Sequence, residues 1–371
     1  IKTYSIKDPD IKNALKSIKG HDEKFQKTLK ETKSVLAVFG SLVPTKGTYN
    51  RKGKARIFAK GGNVKNYVYN YKHSLGSIPI LEKNSKGLGS INYITQNDAV
   101  VRSLPMIMVF NNKLFPSFGL EMIRVGEKKR SIITNLNDSG IKNVSIKPYE
   151  FKTDKNSLIW VKYNRSINDN FISAEKVFNN EFDNKFFRDK YVLIGASAKG
   201  LFDTVKIPTG ETVPGVQVHA NVIDNLLKNN FLKRNDEIFI FELIVSILIS
   251  IVAFVISQRI KPKYSLSIIF IGLIIIFVIG LIIYKFRSEL IDVSYPMIMI
   301  SITFLTGLYF RFLQENKIAL QNLQKEAKLL KERELAGGVQ KSLFPDISAF
   351  ENFVYAKNIP ARDVSGDYFD V

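Results

Sequence analysis

The sequence predicts an α/β module, followed by a three-helix transmembrane bundle and a helical coiled-coil linker. Three apolar segments of 18 to 21 residues follow one another between residues 238 and 310, and a helix of that length crosses the roughly 30 Å hydrocarbon core of a bilayer. Ahead of them, short apolar runs that end at glycine alternate with helical patterns, which is typical of an α/β domain. Behind them, leucines recur at spacings of three and four residues, which indicates a coiled coil.

The first predicted elements belong to the N-terminal module, residues 1–236. Helical spacing predicts helices over 8–19 and 23–33, and the apolar run 35–39, which ends at Gly40, predicts a buried strand. Residues 44–75 are rich in Gly, Lys, Asn and Tyr and have no clear period. They are therefore predicted to be an irregular loop.

The middle of the module predicts a strand, a tight turn and a helix. Residues 106–110 are apolar, the pair Asn111–Asn112 is of hairpin type, and residues 115–125 have helical spacing with Leu120 and Ile123 on one face. We expect Leu120 and Ile123 to face the core.

Further strands and a polar helix continue the alternation of strands and helices in the module. A strand is predicted over 157–163, which contains the single tryptophan, and a helix over 174–180. Residues 189–195 end in the run Tyr-Val-Leu-Ile-Gly, which predicts a second buried strand that ends at glycine. Strands that alternate with helices favour an α/β fold.

The last helix of the module is predicted over residues 216–228. Val218, Val222 and Leu226 fall on one stripe of this helix, and His219 and Asn221 fall off it. No carboxylate or second histidine lies at ligand spacing from His219. We therefore expect His219 to pack or to form hydrogen bonds rather than to serve in catalysis or bind a metal.

The motifs around this helix resemble a known family of sensors. The segment from Tyr191–Gly195 through Asp203, Pro214-Gly215-Val216 and His219-Ala220-Asn221 to Leu226-Leu227 looks like the closing signature of the type-two CHASE extracellular sensor. The earlier segment from Asp98 to Pro105 resembles the middle motif of that family. The resemblance covers nearly all of residues 1–236. It implies recognition of an extracytoplasmic signal without catalysis, and a module that follows one transmembrane helix and precedes three more.

The three apolar segments are predicted to be transmembrane helices within residues 237–312. Residues 238–258 contain a single charge, Glu242, and residues 264–284 and 293–310 contain none. A buried helical hairpin in a large soluble protein is the alternative, and three consecutive spans of this length argue against it.

The two joints between these segments predict the orientation. The first joint is positive and has no acid, whereas the charges of the second cancel, so the first joint should face the cytoplasm. Residues 1–236 then lie outside the cytoplasm and residues 313–371 inside it, in a multi-pass protein of the cell (inner) membrane. The charged residues are Arg259, Lys261 and Lys263 in the first joint, and Lys285, Arg287, Glu289 and Asp292 around the second.

The charge excess lies almost entirely in the N-terminal module. The chain has a net charge of +20, of which residues 1–236 carry +19, while residues 313–371 carry −1. Outside the cytoplasm this excess does not indicate nucleic acid as a partner. An anionic membrane surface, an acidic ligand or a composition rich in Lys and Asn accounts for it. We expect membrane lipid and an unidentified extracytoplasmic ligand as partners.

The absence of cysteine excludes several kinds of chemistry. With no cysteine in 371 residues, the chain has no thiol catalysis, no thiolate metal site and no disulfide. The chain opens at Ile1 with no signal-like segment. We therefore expect a preceding signal anchor or transmembrane helix to deliver the module across the membrane.

The linker, residues 313–336, carries a heptad seam of about three repeats. We predict a parallel homodimeric coiled coil, in which the polar seam residues reduce stability and fix the register. A single amphipathic helix on the membrane or on the next domain is the alternative. The seam residues are Leu313, Asn316, Leu320, Leu323, Ala327, Leu330 and Glu334.

Residues 337–371 contain motifs that resemble a phosphatase. Gln340-x-Ser342-Leu343-x-Pro345, then Pro360-Ala361-Arg362, then Gly366-Asp367-Tyr-Phe-Asp370 looks like the start of the bacterial sporulation stage II E and sigma-regulator type of metal-dependent serine/threonine phosphatase, within the type 2C class. Ser365 and Phe344 depart from the common pattern, which has Gly and Leu there. The resemblance implies an α+β domain with two Mn²⁺ or Mg²⁺ ions that activate a water.

The resemblance assigns metal ligands to two aspartates. Asp367 matches the aspartate that helps to hold one metal, and Asp370 is the second candidate, with a structural role as its alternative. The other ligands would follow Val371, so we expect no further catalytic residue in this chain and no activity from it alone.

The combined interpretation is a membrane-bound, signal-transducing serine/threonine phosphatase. Its substrate would be a phosphorylated cytoplasmic regulator, such as an anti-sigma-factor antagonist. The alternative is a non-catalytic receptor or scaffold whose inner domain only binds a partner. A sensor that feeds a cyclase or histidine kinase is a third interpretation, and the Gly-Asp-Tyr-Phe-Asp motif so soon after the linker argues against it.

Overall fold

A computed structural model describes residues 20–345 apart from 45, 46, 96, 165–169, 184, 199, 201, 202, 235 and 261, together with 357, 359 and 366. The chain divides into two compact units. The first runs to Glu242 and includes Val278–Asp292, and the second holds Leu243–Phe277 and continues from Val293. The helix predicted over 8–19 lies outside the described residues.

The first unit mixes short helices with short strands. Its helices are α1 (His21–Glu31), α2 (Pro79–Asn84), α3 (Phe118–Gly126), α4 (Ala174–Phe178) and α5 (Gly215–Lys228), with a 3₁₀ turn at Val64–Asn66. Its strands are β1 (Val35–Ser41), β2 (Arg56–Lys60), β3 (Asn70–Tyr71), β4 (His73–Gly76), β5 (Gly87–Ser90), β6 (Ile94–Thr95), β7 (Val101–Pro105), β8 (Ile107–Phe110), β9 (Lys113–Pro116), β10 (Ser131–Asn137), β11 (Gly140–Ile146), β12 (Tyr149–Lys152), β13 (Leu158–Trp160), β14 (Thr204–Lys206) and β15 (Thr212–Pro214).

The described strands form five small sheets. Their orders are β4-β1-β5, β12-β11-β10-β2, β13-β7-β6, β3-β8-β9 and the hairpin β14-β15. The pairs β1–β5, β2–β10 and β3–β8 are parallel, and the others are antiparallel. Parallel pairs need long crossover connections, here supplied in part by helices. The α/β class predicted for the module is therefore confirmed.

The centre of the module is built from β8, the turn after it and α3. All four residues of β8 are buried, and Asn111 and Asn112 take positive φ of 46° and 61°, which asparagine tolerates and the hairpin turn requires. Ser117 caps α3 by accepting a hydrogen bond from the backbone N–H of Leu120. The predicted strand, turn and inward-facing Leu120 and Ile123 are confirmed.

Helix α5 packs against this core. The stripe predicted for it is confirmed, because Val218, Val222 and Leu226 are fully buried and belong to the main hydrophobic cluster. Gly119 of α3 makes the close approach of the two helices possible, since a Cβ there would lie 2.9 Å from Val222.

Three expectations for the module were wrong. The run 191–195 is not a buried strand, because it is irregular and Ile194 is 98% exposed. Residues 44–75 are not one irregular loop, since β2, β3 and β4 lie in this stretch. The strand run 35–39 forms β1, but Phe39 is 46% exposed rather than buried.

The second unit contains most of three long helices. These are α6 (Asp236–Arg259), α7 (Pro262–Arg287) and α8 (Ser294–Leu343), and all three are long and apolar enough to cross a membrane. Within this unit α6 and α8 touch closely, because the side-chain amide of Gln258 donates to the carbonyl of Gly307 at 2.7 Å. Helix α8 runs through the third apolar segment and the whole predicted linker without a break.

Candidate functional sites

A small polar cleft lies beside the first turns of α5. It is shallow, with an enclosed volume of about 10 Å³ that has room for about one water molecule, and it opens to solvent between this helix, the β14-β15 hairpin and the chain that follows β13. Its lining residues are Tyr163, Asn164, Ile207, Thr209, Glu211, Gln217 and Asn221. Polar side chains from three segments of the module converge here, and a few convergent polar groups are what orients a small ligand, so this shallow cleft is the candidate sensing site.

Two asparagines of α5 hold the chain that follows β13. The side-chain oxygen of Asn225 accepts from the backbone N–H of Lys162 at 2.7 Å, and its amide donates to the Lys162 carbonyl at 2.9 Å. One turn earlier, Asn221 accepts from the backbone N–H of Asn164 at 2.8 Å. These buried amides form hydrogen bonds with backbone groups that a neighbouring strand would otherwise pair with. The chain bearing Lys162 is therefore fixed to α5.

His219 occupies the buried side of α5. Its ring packs edge-on against Phe118 with centroids 5.7 Å apart, and burial lowers its pKa from 6.5 to about 4, against the opposing effect of a hydrogen bond with the Ile91 backbone. Within the described part of the chain, its Nδ1 atom has no hydrogen-bond partner. The packing role expected for His219 is confirmed, and both His219 and Asn221 are buried although they fall off the apolar stripe of the helix.

A second polar site forms where the joint between α7 and α8 meets the end of the module. We call residues 288–293 the second joint. The backbone N–H of Lys233 donates to the Ser288 carbonyl at 2.8 Å, and the N–H of Leu290 donates to the Lys233 carbonyl at 2.9 Å. The second joint thus adds a short parallel bridge to the chain that enters α6.

Charged side chains hold both ends of this bridge. The ammonium of Lys162 donates to the Ser288 hydroxyl at 2.9 Å and to Asn230 at 3.1 Å. Arg234 donates to the Leu290 carbonyl at 3.0 Å and lies 3.4 Å from Glu242, whose carboxylate also accepts from the backbone N–H of Asp292 at 2.6 Å. All these residues belong to the first unit.

Sequence reasoning missed the second site. The contacts of the second joint join residues that lie between 50 and 126 positions apart, and the charges near this joint predict only topology. One usable signal was present, because Glu242 is a lone carboxylate in an apolar span, and such a residue is a functional candidate by default. It is 5% exposed in the structure.

Two further buried ion pairs are structural. Arg124 grips Glu121 with two hydrogen bonds of 2.7 Å, and Arg51 holds Glu82 at 2.7 Å. The first pair ties α3 to loop carbonyls, since Arg124 also donates to the carbonyls of Lys86 and Lys129. They are remote from the cleft residues in sequence and line no cavity described above.

The predicted metal ligands Asp367 and Asp370 lie outside the described residues. Across the residues that are described, no group of three or more His, Asp or Glu side chains is placed to hold a metal ion. The assignment of Asp367 and Asp370 to a metal therefore stays a prediction.

The linker half of α8 presents its apolar seam to solvent. Leu320, Leu323 and Leu330 are each about 60% exposed (58%, 63% and 62%). The helix predicted for the linker is confirmed, and pairing with a second chain stays a prediction.

Comparison with known proteins identifies the N-terminal part. Residues 4–257 match the family described as the CHASE2 domain. The match spans the module and enters α6, where it ends. Neither the curated proteins nor the solved structures contain a match to the chain.

Proposed function

Because the chain belongs to the CHASE2 domain family, we propose that it is the sensing and transmitting part of a membrane-bound serine/threonine phosphatase. In general terms the protein is a membrane signal-transduction receptor, since a CHASE2 sensor precedes three helices that are long and apolar enough to span a bilayer. The module binds an extracellular ligand, for which the cleft beside α5 is the candidate site. The protein resides in the inner membrane with residues 313–371 in the cytoplasm.

The observation that supports transmission is the continuity of α8. This helix of 50 residues begins beside the second joint and ends at Leu343, within the first motif of the phosphatase resemblance. A continuous helix conveys rotation or translation along its axis to whatever is attached at its end. A displacement of the start of α8 therefore reaches Gln340 and Ser342 without an intervening loop.

The phosphatase part of the proposal is supported by the motifs in residues 337–371. Carboxylate oxygens are the ligands that Mn²⁺ and Mg²⁺ prefer, and Asp367 matches the ligand position of the family. Two such ions would activate a water for attack on the phosphorus of a phosphoserine or phosphothreonine. The substrate class is a phosphorylated cytoplasmic regulator of the anti-sigma-factor-antagonist kind.

The test compares two aspartates that lie close together in sequence, in the protein with its complete inner domain. Asp367→Ala should abolish Mn²⁺-dependent phosphate release from a phosphoserine protein, a loss of at least about a hundredfold for one metal ligand. Asp363→Ala, four residues earlier and outside the matched pattern, is the control and should keep most of the activity. Activity that survives Asp367→Ala contradicts the metal role. A wild-type protein that releases no phosphate supports the non-catalytic receptor instead.

The receptor is proposed to act as a homodimer through the seam of α8. Because the chain has no native cysteine, single introduced thiols report pairing cleanly. Leu323→Cys lies on the seam and should form an interchain disulfide under mild oxidation in membranes. Lys325→Cys lies on the outer face and should not. Equal cross-linking at both positions would favour the single amphipathic helix.

A further inference from the structure

We infer that the second joint is the output contact of the sensor, through which movement of α5 is delivered directly to the start of α8. The inference rests on the proposed receptor function and holds whether the inner domain is catalytic or not.

The connectivity of the helices leaves two routes from the module. Helix α6 follows the module in sequence, but it ends at Arg259 and returns through α7. Helix α8 continues into the linker, so a change in the position of α8 is transmitted to the residues that follow it on the inner side of the membrane. A contact between the module and the residues immediately before Ser294 therefore bypasses two membrane crossings.

The contact is formed by backbone as well as side chains. Lys233 exchanges two backbone hydrogen bonds with Ser288 and Leu290, which fixes the second joint in register with the chain that leaves the module. Because backbone bridges of this kind set both distance and direction, the joint must follow any shift of that chain.

Lys162 links this bridge to α5. Its backbone is held at both polar groups by Asn225, and its ammonium reaches the Ser288 hydroxyl. One turn before Asn225, Asn221 lines the cleft. A ligand that displaces this turn of α5 would therefore move Lys162, and Lys162 would move the joint.

The opposite end of the joint is held by a second set of contacts. Arg234 donates to the Leu290 carbonyl, and Glu242 accepts from the backbone N–H of Asp292. Asp292 lies two residues before α8 begins. The second joint is thus held at its first, third and fifth positions, as a contact that transmits displacement requires.

The test measures hydrogen exchange by mass spectrometry on the full chain in lipid nanodiscs. Lys162→Met keeps the aliphatic stem and removes the ammonium. It should raise exchange of the second joint about tenfold, the change expected for one or two lost hydrogen bonds. It should also change exchange in the first turn of α8 and in the linker by at least about threefold.

Lys233→Met is the matched control. Lys233 lies in the same site, but it contacts the second joint through its backbone and its side chain is exposed. The replacement should leave exchange within about twofold of wild type at all three places. Unchanged exchange of α3 amides verifies that both variants are folded.

A disulfide provides the rescue. The pair Lys233→Cys and Glu289→Cys occupies bridged positions, which lie within reach of a disulfide. Oxidised in the Lys162→Met background, it should restore wild-type exchange in the joint and in α8.

The proposal is overturned if Lys162→Met leaves the joint unchanged, or if the joint loosens while the first turn of α8 and the linker exchange as in wild type. Failure of the coiled-coil proposal looks different, because the linker would then exchange rapidly in the wild-type chain while the first turn of α8 still responds.

Discussion

The buried polar side of α5 is where single residues decide the behaviour of the module. Helical periodicity correctly put Val218, Val222 and Leu226 on one stripe. It also put His219 and Asn221 off that stripe, yet both are buried, at 5% and 1% exposure. A helical wheel describes one helix, whereas burial depends on how many sides are covered by neighbours. Here a second wall, formed by Phe118 and the chain after β13, covers the polar side.

This burial gives the module a defined pH dependence. The pKa of His219 is lowered to about 4 in the folded state, so the folded state keeps the neutral ring while the unfolded chain takes up a proton below about pH 6.5. Stability contributed by the neutral ring is therefore complete above about pH 6.5 and is lost as the pH falls towards 4, by about 3 kcal/mol in total.

His219→Gln should remove this part of the pH dependence. Urea unfolding of the full chain in detergent, followed by the fluorescence of Trp160, the single tryptophan, reports on the module. The wild type should lose stability between pH 6.5 and 4 more steeply than the variant. The other titrating groups are common to both proteins, so the difference between the two profiles isolates His219. Parallel profiles would show that the ring is not kept neutral.

At the scale of elements, the contact between α6 and α8 depends on a glycine. A methyl group at Gly307 would collide with the Ser257 hydroxyl and would lie 3.3 Å from the Gln258 amide nitrogen. Small residues at membrane helix contacts let the backbones approach and form hydrogen bonds, as Gln258 does with the Gly307 carbonyl. The close packing of these helices therefore depends on the absence of a side chain at this position.

Gly307→Ala should destabilise the helix pair by about 1–3 kcal/mol, the usual cost of forcing a methyl group into a filled contact. The measurement is the thermal unfolding midpoint in detergent. Gly272→Ala in α7 is the matched control, because nothing lies within 4 Å of a Cβ there. Equal midpoints for the two variants would mean that α6 and α8 are not held at this distance.

The strand run 191–195 shows where element prediction fails. Its composition is that of a buried strand, and the same run carried part of the CHASE resemblance. In the structure it pairs with no described strand and leaves Val192 48% and Ile194 98% exposed. An apolar run indicates that burial would be favourable. Whether a neighbouring strand is available to pair with it depends on the sheets around it. The hairpin turn at Asn111–Asn112 succeeded because its signal is local.

At the scale of the whole molecule, the sequence predicted the order of parts better than their connections. Membrane spans follow from the length of apolar segments, which is readable along one dimension, and all three helices were found. The sensor module was recognised from its motifs, and the match over residues 4–257 confirmed it. The parallel pairs β1–β5 and β2–β10, and the second joint, join residues distant in sequence, so no local pattern revealed them.

The proposed orientation rests on the charges of the first joint. Replacing Arg259, Lys261 and Lys263 together by Glu should disturb insertion, because joints rich in Lys and Arg tend to remain in the cytoplasm and this joint would lose its positive charges. A reporter active only in the cytoplasm, fused after Gln314, should be active in the wild-type background and lose much of its activity in the triple variant. An inactive reporter in the wild type would contradict the proposed topology.

Because α8 is uninterrupted, the number of residues in it determines the direction in which the inner domain faces. A helix of 50 residues extends about 75 Å and turns about 100° with each residue, so removing one residue from the linker re-aims everything after it. Deletions of seven residues should preserve the facing direction and deletions of three or four should nearly do so, while one or two should point the inner domain elsewhere. The output of such a receptor would therefore depend on linker length as a periodic function rather than as a gradual one.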